Sequence, residues 1–125
     1  MRYVQTDNAL KPNGHYAQAV EHGGFLFISG ILPFDRTTGK YVAGTVEEQT
    51  KEVLENLDSI LKAGGSCSHK VLKTTVFVSD MEDWSKINEL YGKYFKGHTP
   101  ARSVVAVSSL HFGAHLEMEA IAYVE

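Results

Sequence analysis

Thr99-Pro100-Ala101-Arg102-Ser103-Val104-Val105-Ala106-Val107 is the stretch on which the fold turns. Proline has no amide to give a ladder, so it is tolerated at the start of a strand and not in its middle. The alternation that follows puts Arg102, Val104 and Ala106 on one face and Ser103, Val105 and Val107 on the other. The stretch therefore reads as a strand with a guanidinium at its mouth. Such a group is either a solvated charge or a planar fork of donors that holds a carboxylate through two hydrogen bonds.

Upstream, Trp84, Ile87, Asn88, Tyr91, Tyr94 and Phe95 recur at three- and four-residue spacing, which predicts a helix capped by Asp80 or Asp83 and ended by Gly97 and Pro100. Residues 70–79 are rich in β-branched side chains and read as a strand. A longer helix opens at Thr45, whose side chain and that of Glu48 form a capping box. Val46, Val53, Leu54, Leu57, Ile60 and Leu61 share one face of it, and Gly64-Gly65 stops it. Downstream, a loop over 108–114 leads to a last strand, 116–124, with Glu117 and Glu119 on one face and Leu116, Met118 and Ala120 on the other. Direct pairing of this strand with 99–107 is expected, which brings Arg102 and Glu117 to one end of the sheet as either an ion pair or two parts of a site.

At the other end, residues 2–5 form a short possible strand, and the runs 16–21 and 25–29 make a hairpin around Gly23-Gly24. Phe25-Leu26-Phe27-Ile28-Ser29 lacks alternation and reads as a strand buried on both faces. The order strand, hairpin, helix, strand, helix, two strands gives an α+β fold: a mixed sheet with two helices packed on one face, one domain over 1–125. Phe25–Ile28, Val76–Val78 and Val104–Val107 carry more apolar surface than one covered face needs, so the second face is expected to be covered by another subunit.

Composition narrows the function. The 125 residues are 43% hydrophobic and 22% charged, and 12 basic against 15 acidic residues give a net charge of -3. Neither that balance nor any Lys/Arg run suits a nucleic-acid partner. No apolar run approaches the roughly 20 residues that span a bilayer, and none follows Arg2 as a signal sequence requires. The single cysteine, Cys67, excludes an intrachain disulfide and fits a reducing, cytoplasmic setting. It has no neighbouring histidine to activate it. His111 and His115 have metal-ligand spacing but no third ligand near them, so no metal is expected. The glycine pairs are turns and not phosphate loops.

Several segments taken together resemble the Rid (YjgF-type) family of enamine/imine deaminases. They are Gly14-His15-Tyr16-Ala17-Gln18-Ala19-Val20, Ile28-Ser29-Gly30, Thr38-Gly39, Glu48-Gln49-Thr50 with Asn56-Leu57, and Val71-Leu72-Lys73-Thr74-Thr75-Val76-Phe77-Val78. Asp80-Met81, Ile87-Asn88-Glu89-Leu90-Tyr91, Pro100-Ala101-Arg102-Ser103 and Glu117-Met118-Glu119-Ala120-Ile121-Ala122 follow in family order. The resemblance implies a chorismate-mutase-like fold assembled as a homotrimer, with pockets in the clefts between subunits. It implies cofactor-free hydrolysis of reactive enamines and imines, such as 2-aminoacrylate, to 2-keto acids and ammonia. By the same resemblance Arg102 binds the substrate carboxylate and Glu117 orients a water. Tyr16 and Ser29 contact the reacting groups, and Gly30 and Asn88 line or support the cleft. Four positions depart from the family pattern: His15 stands for proline, Ile31 for glutamine, Val104 for cysteine and His111 for proline. The alternative is a non-catalytic trimeric module that binds small carboxylates such as 2-keto acids. A third reading, a ribonuclease or translation inhibitor, runs against the acidic balance.

Overall fold

The computed structural model describes residues 1–125. Six strands and two helices follow in the order β1 (Arg2–Val4), β2 (Ala19–His22), β3 (Phe25–Ile31), α1 (Val46–Ala63), β4 (Val71–Val78), α2 (Trp84–Phe95), β5 (Ala101–Ala106) and β6 (Leu116–Tyr123). They form one sheet ordered β1-β2-β3-β6-β4-β5. Every pairing is antiparallel except β4 with β5, which α2 joins as a crossover.

Local chemistry sets these elements. Gly23 and Gly24 both have positive φ (61° and 84°) in the two-residue turn between His22 and Phe25, the geometry a tight hairpin requires. At the start of α1, Thr45 Oγ1 accepts from the Glu48 amide at 3.1 Å while the Thr45 amide donates to Glu48 Oε1 at 3.0 Å. Such a cap contributes about 1 kcal/mol. Asp83 precedes α2 but makes no side-chain cap; it faces His115 Nδ1 at 3.4 Å instead. Asp80 accepts from the Glu82 amide in the short turn before the helix.

Both helices cover one face, over a core that includes Leu57, Leu61, Ile87, Phe95, Leu26, Val76 and Met118. Each such Leu or Ile contributes about 1.5–3 kcal/mol by leaving water. Three buried amides pin the flanking loops to this core. Gln18 exchanges hydrogen bonds with Thr6 and donates to the Leu10 carbonyl. Asn56 accepts from the Leu10 amide and donates to the Phe34 carbonyl. Gln49 donates to Tyr41 and Val42 and accepts from the His115 amide. No helix is long and apolar enough to cross a membrane.

The expected pairing of the last two strands is not the observed one. β6 lies between β3 and β4, and β5 is the edge strand beyond β4. Burial explains the choice: Leu116, Met118, Ala120 and Ala122 on β6 are all buried under the helices, whereas no β5 residue is fully buried. The more apolar strand takes the centre. β3 also differs from the reading of a doubly buried strand. Leu26 and Ile28 are buried, but Phe25 and Phe27 on the helix-free face are 45% and 47% exposed.

Candidate active site

The predicted site residues fall into two clefts. The first surrounds Glu117. β3 carries a bulge here: Ile28 pairs with Ala120 and Ile31 with Met118, so Ser29 and Gly30 stand against the single residue Glu119. The Glu117 carboxylate fills the space beside Gly30, and a Cβ on Gly30 would collide with Oε2. With Gly30 and Glu117, the side chains of Asn13, Tyr16, Ser29 and His111 line a cleft of ≈ 280 Å³ that Leu32 and Phe112 complete. Tyr16 donates its hydroxyl to Asn13 Oδ1 at 3.2 Å. The Ser29 hydroxyl donates to the Ala17 carbonyl at 2.6 Å, which leaves its oxygen to the cleft as an acceptor.

Burial pushes the Glu117 carboxyl above the ordinary carboxylate pKa; His111 opposes that push and Glu119 adds to it. A half-buried carboxylate with a raised pKa beside polar groups is suited to taking a proton from water.

The second cleft, of ≈ 370 Å³, holds Arg102 and Asn88. Arg102 Nη1 donates to Asn88 Oδ1 at 2.8 Å, and the guanidinium lies 4.6 Å from the Trp84 ring and 4.8 Å from the Tyr91 ring. Tyr91 in turn shares a 2.7 Å hydrogen bond with Thr74 of β4. The arginine is therefore held on α2 instead of waving in solvent, with further N–H donors left for an anion. Trp84, Asn88 and Tyr91 sit four and three residues apart on α2, a spacing that reads in the sequence as core packing. The structure divides that stripe, giving Ile87 and Phe95 to the core and Trp84 and Asn88 to the arginine. Asn13 and Phe112 carry no such signal, because loops bring them in, and His111 is marked only by its spacing from His115 and by its departure from the family pattern.

Within one copy the two clefts do not meet. Arg102 pairs with Thr74 and Glu117 with Phe77, three residues along β4. Paired residues share a face, so Arg102 lies on the helix side and Glu117 on the bare side. The offset is roughly 10 Å along the strands and roughly 10 Å across them. The two histidines also diverge, His115 toward Asp83 and His111 into the Glu117 cleft. A more open groove of ≈ 640 Å³ runs between the helices; in it Lys62 pairs with Asp58 at 2.8 Å and Arg36 with Glu55 at 3.9 Å, and Lys51, Lys93 and Lys96 add positive charge.

The chain as a whole is similar to known proteins. The sequence pattern of the family described as Endoribonuclease L-PSP matches residues 6–124. A RutC family protein of Pyrococcus horikoshii is 48% identical over 122 residues, covering 98% of this chain and 97% of its own. A mouse protein named 2-iminobutanoate/2-iminopropanoate deaminase is 41% identical over 121 residues, 97% of this chain and 90% of its own. The crystal structure of E. coli TdcF with bound serine superposes on 100% of both chains at a TM-score of 0.94, with 35% identity.

Proposed function

Since the chain belongs to the L-PSP (YjgF/Rid) family, we propose that it hydrolyses 2-imino acids and their enamine tautomers, of the 2-aminoacrylate kind, to 2-keto acids and ammonia in the cytoplasm. The observation that carries this reading is Glu117: a half-buried carboxylate with a raised pKa, seated against Gly30 in a cleft of small-molecule size. The relative named an imine deaminase, 41% identical along nearly the whole chain, supports it.

The opposite placement of Arg102 and Glu117 supports a composite site. Arg102 of a second copy enters the Glu117 cleft and holds the substrate carboxylate, and the copies close into a homotrimer over the bare sheet face. The exposed Phe25, Phe27 and Val105 on that face support such a cover. With the carboxylate fixed, the imine carbon faces the water that Glu117 positions. Glu117 takes a proton as the oxygen bonds to carbon. The Tyr16 hydroxyl and Ser29 oxygen contact the nitrogen and the new hydroxyl, and no cofactor enters. Asn88, Trp84 and Tyr91 keep the arginine in its fork-forward pose.

The bound serine in the E. coli relative favours a second reading, a trimeric module that binds small carboxylates without turning them over. An amino-acid oxidase that generates the imine in situ separates the two. Wild type should speed keto-acid release, and Arg102→Ala and Glu117→Ala should not. Equal rates in all three would sink the catalytic reading. Keto-acid binding that survives Glu117→Ala, with no turnover in any form, would establish the module.

A further inference from the structure

His111 is a titratable group in the Glu117 cleft that the hydrolysis just described leaves without a task. It heads the turn His111–Gly113 between β5 and β6, and that turn is locked. The Gly113 amide donates to Leu110 and the Ala114 amide to His111, each at 3.1 Å. Phe112 and Gly113 both adopt left-handed backbone (φ 64° and 71°), a conformation that is strained for a non-glycine residue. The Phe112 ring offsets this by stacking on Tyr41 at 5.3 Å and meeting the Phe34 edge at 5.2 Å. The strained, anchored turn delivers the imidazole of His111 to the cleft wall.

The groups facing His111 are few. Glu117 comes from β6 and Tyr16 from the segment before β2, with Tyr41 beyond Phe112; no lysine or arginine of the same copy lines the cleft. An acid and a base of different character thus share one small volume, which is the arrangement that water addition to C=N requires.

We propose that His111 is the general acid of the reaction, a catalytic residue that protonates the substrate nitrogen. The proposal rests on the deaminase reading. In the addition step, Glu117 takes one proton of the water as its oxygen bonds to the imine carbon. The C=N electron pair moves onto nitrogen, which takes the ring proton of His111. In the collapse step the C–N bond breaks with its pair leaving on nitrogen, and Glu117 returns its proton to form ammonia. The hydroxyl proton passes to the imidazole as the carbonyl forms, so both side chains end as they began.

The test is kcat and KM for oxidase-generated imine across pH 5–9, uncatalysed hydrolysis subtracted, in wild type, His111→Gln, His111→Ala, Glu117→Gln and Arg102→Ala. His111→Gln should lower kcat about 10²-fold with KM within about twofold. The pH profile of kcat should differ between wild type and His111→Gln, with a limb present in wild type and missing in the variant. Added imidazole should restore part of the His111→Ala rate. The proposal is overturned if His111→Gln keeps wild-type kcat and the wild-type pH profile, or changes KM alone, while Glu117→Gln is inactive. Wild-type rates in both Glu117→Gln and Arg102→Ala would remove the deaminase reading and this proposal with it.

Discussion

Arg102 and Glu117 project from opposite faces of one sheet, with β4 between their strands. The strand register separates them by roughly 10 Å along and roughly 10 Å across the strands, so a reaction that used both would draw them from different copies. The consequence is measurable. Arg102→Ala and Glu117→Gln, each inactive alone, should regain activity when unfolded together and reassembled one to one. Random assembly leaves both native residues in about a quarter of the clefts, so about a quarter of the wild-type rate is expected. A mixture as inactive as its components would overturn the composite site.

The guanidinium of Arg102 is fixed by Asn88 and by the two rings of Trp84 and Tyr91. A lysine keeps the charge but has no planar fork to lie between rings and bind two carboxylate oxygens. Arg102→Ala should lower kcat/KM on the order of 100-fold or more. Arg102→Lys should recover only a minor part of that loss. Steady-state kinetics that show full rescue by lysine would mean a simple point charge suffices.

Gly30 matters for what it lacks. Its backbone is not left-handed, so alanine is conformationally acceptable there, but the added carbon meets Glu117 Oε2. Gly30→Ala should therefore fold and assemble with a displaced carboxylate, and kcat should fall at least about tenfold. Circular dichroism and sedimentation check the fold. An active Gly30→Ala would show that the carboxylate need not sit where it does.

Glu117 also links catalysis to stability. Its folded pKa lies above the unfolded value because burial disfavours the charged form. The ionised carboxylate thus destabilises the fold at every pH above the folded pKa, and the cost disappears as pH falls below the unfolded one. Glu117→Gln should raise Tm at pH 7, on the order of 1 °C for a chain of this size, and the gain should shrink toward pH 4. Scanning calorimetry at the two pH values gives the sign. A variant less stable than wild type at pH 7 would mean the carboxylate is held by a favourable contact.

Much of this protein is written in periodicity and caps. Thr45 and Glu48, the apolar face from Val46 to Leu61, the Gly23-Gly24 turn and the alternation through Glu117 to Ala120 each act within a few residues. Their outcome is determined by the chain beside them. The ordered segments around Tyr16, Ser29, Arg102 and Glu117 likewise identify a family before any coordinate is known. Strand order is a different kind of quantity. Whether β6 pairs with β5 or slips between β3 and β4 depends on which strand buries more when both helices are in place, a competition over the whole sheet. The short loop from Val107 to His115 suggests neighbours, and the burial of Leu116, Met118, Ala120 and Ala122 overrides it. That choice leaves Arg102 over α2 and Glu117 on the bare face, two strands apart. Residue identity and local pattern determined what the groups are; only the tertiary structure, by competing for burial across distant strands, decided which of them meet.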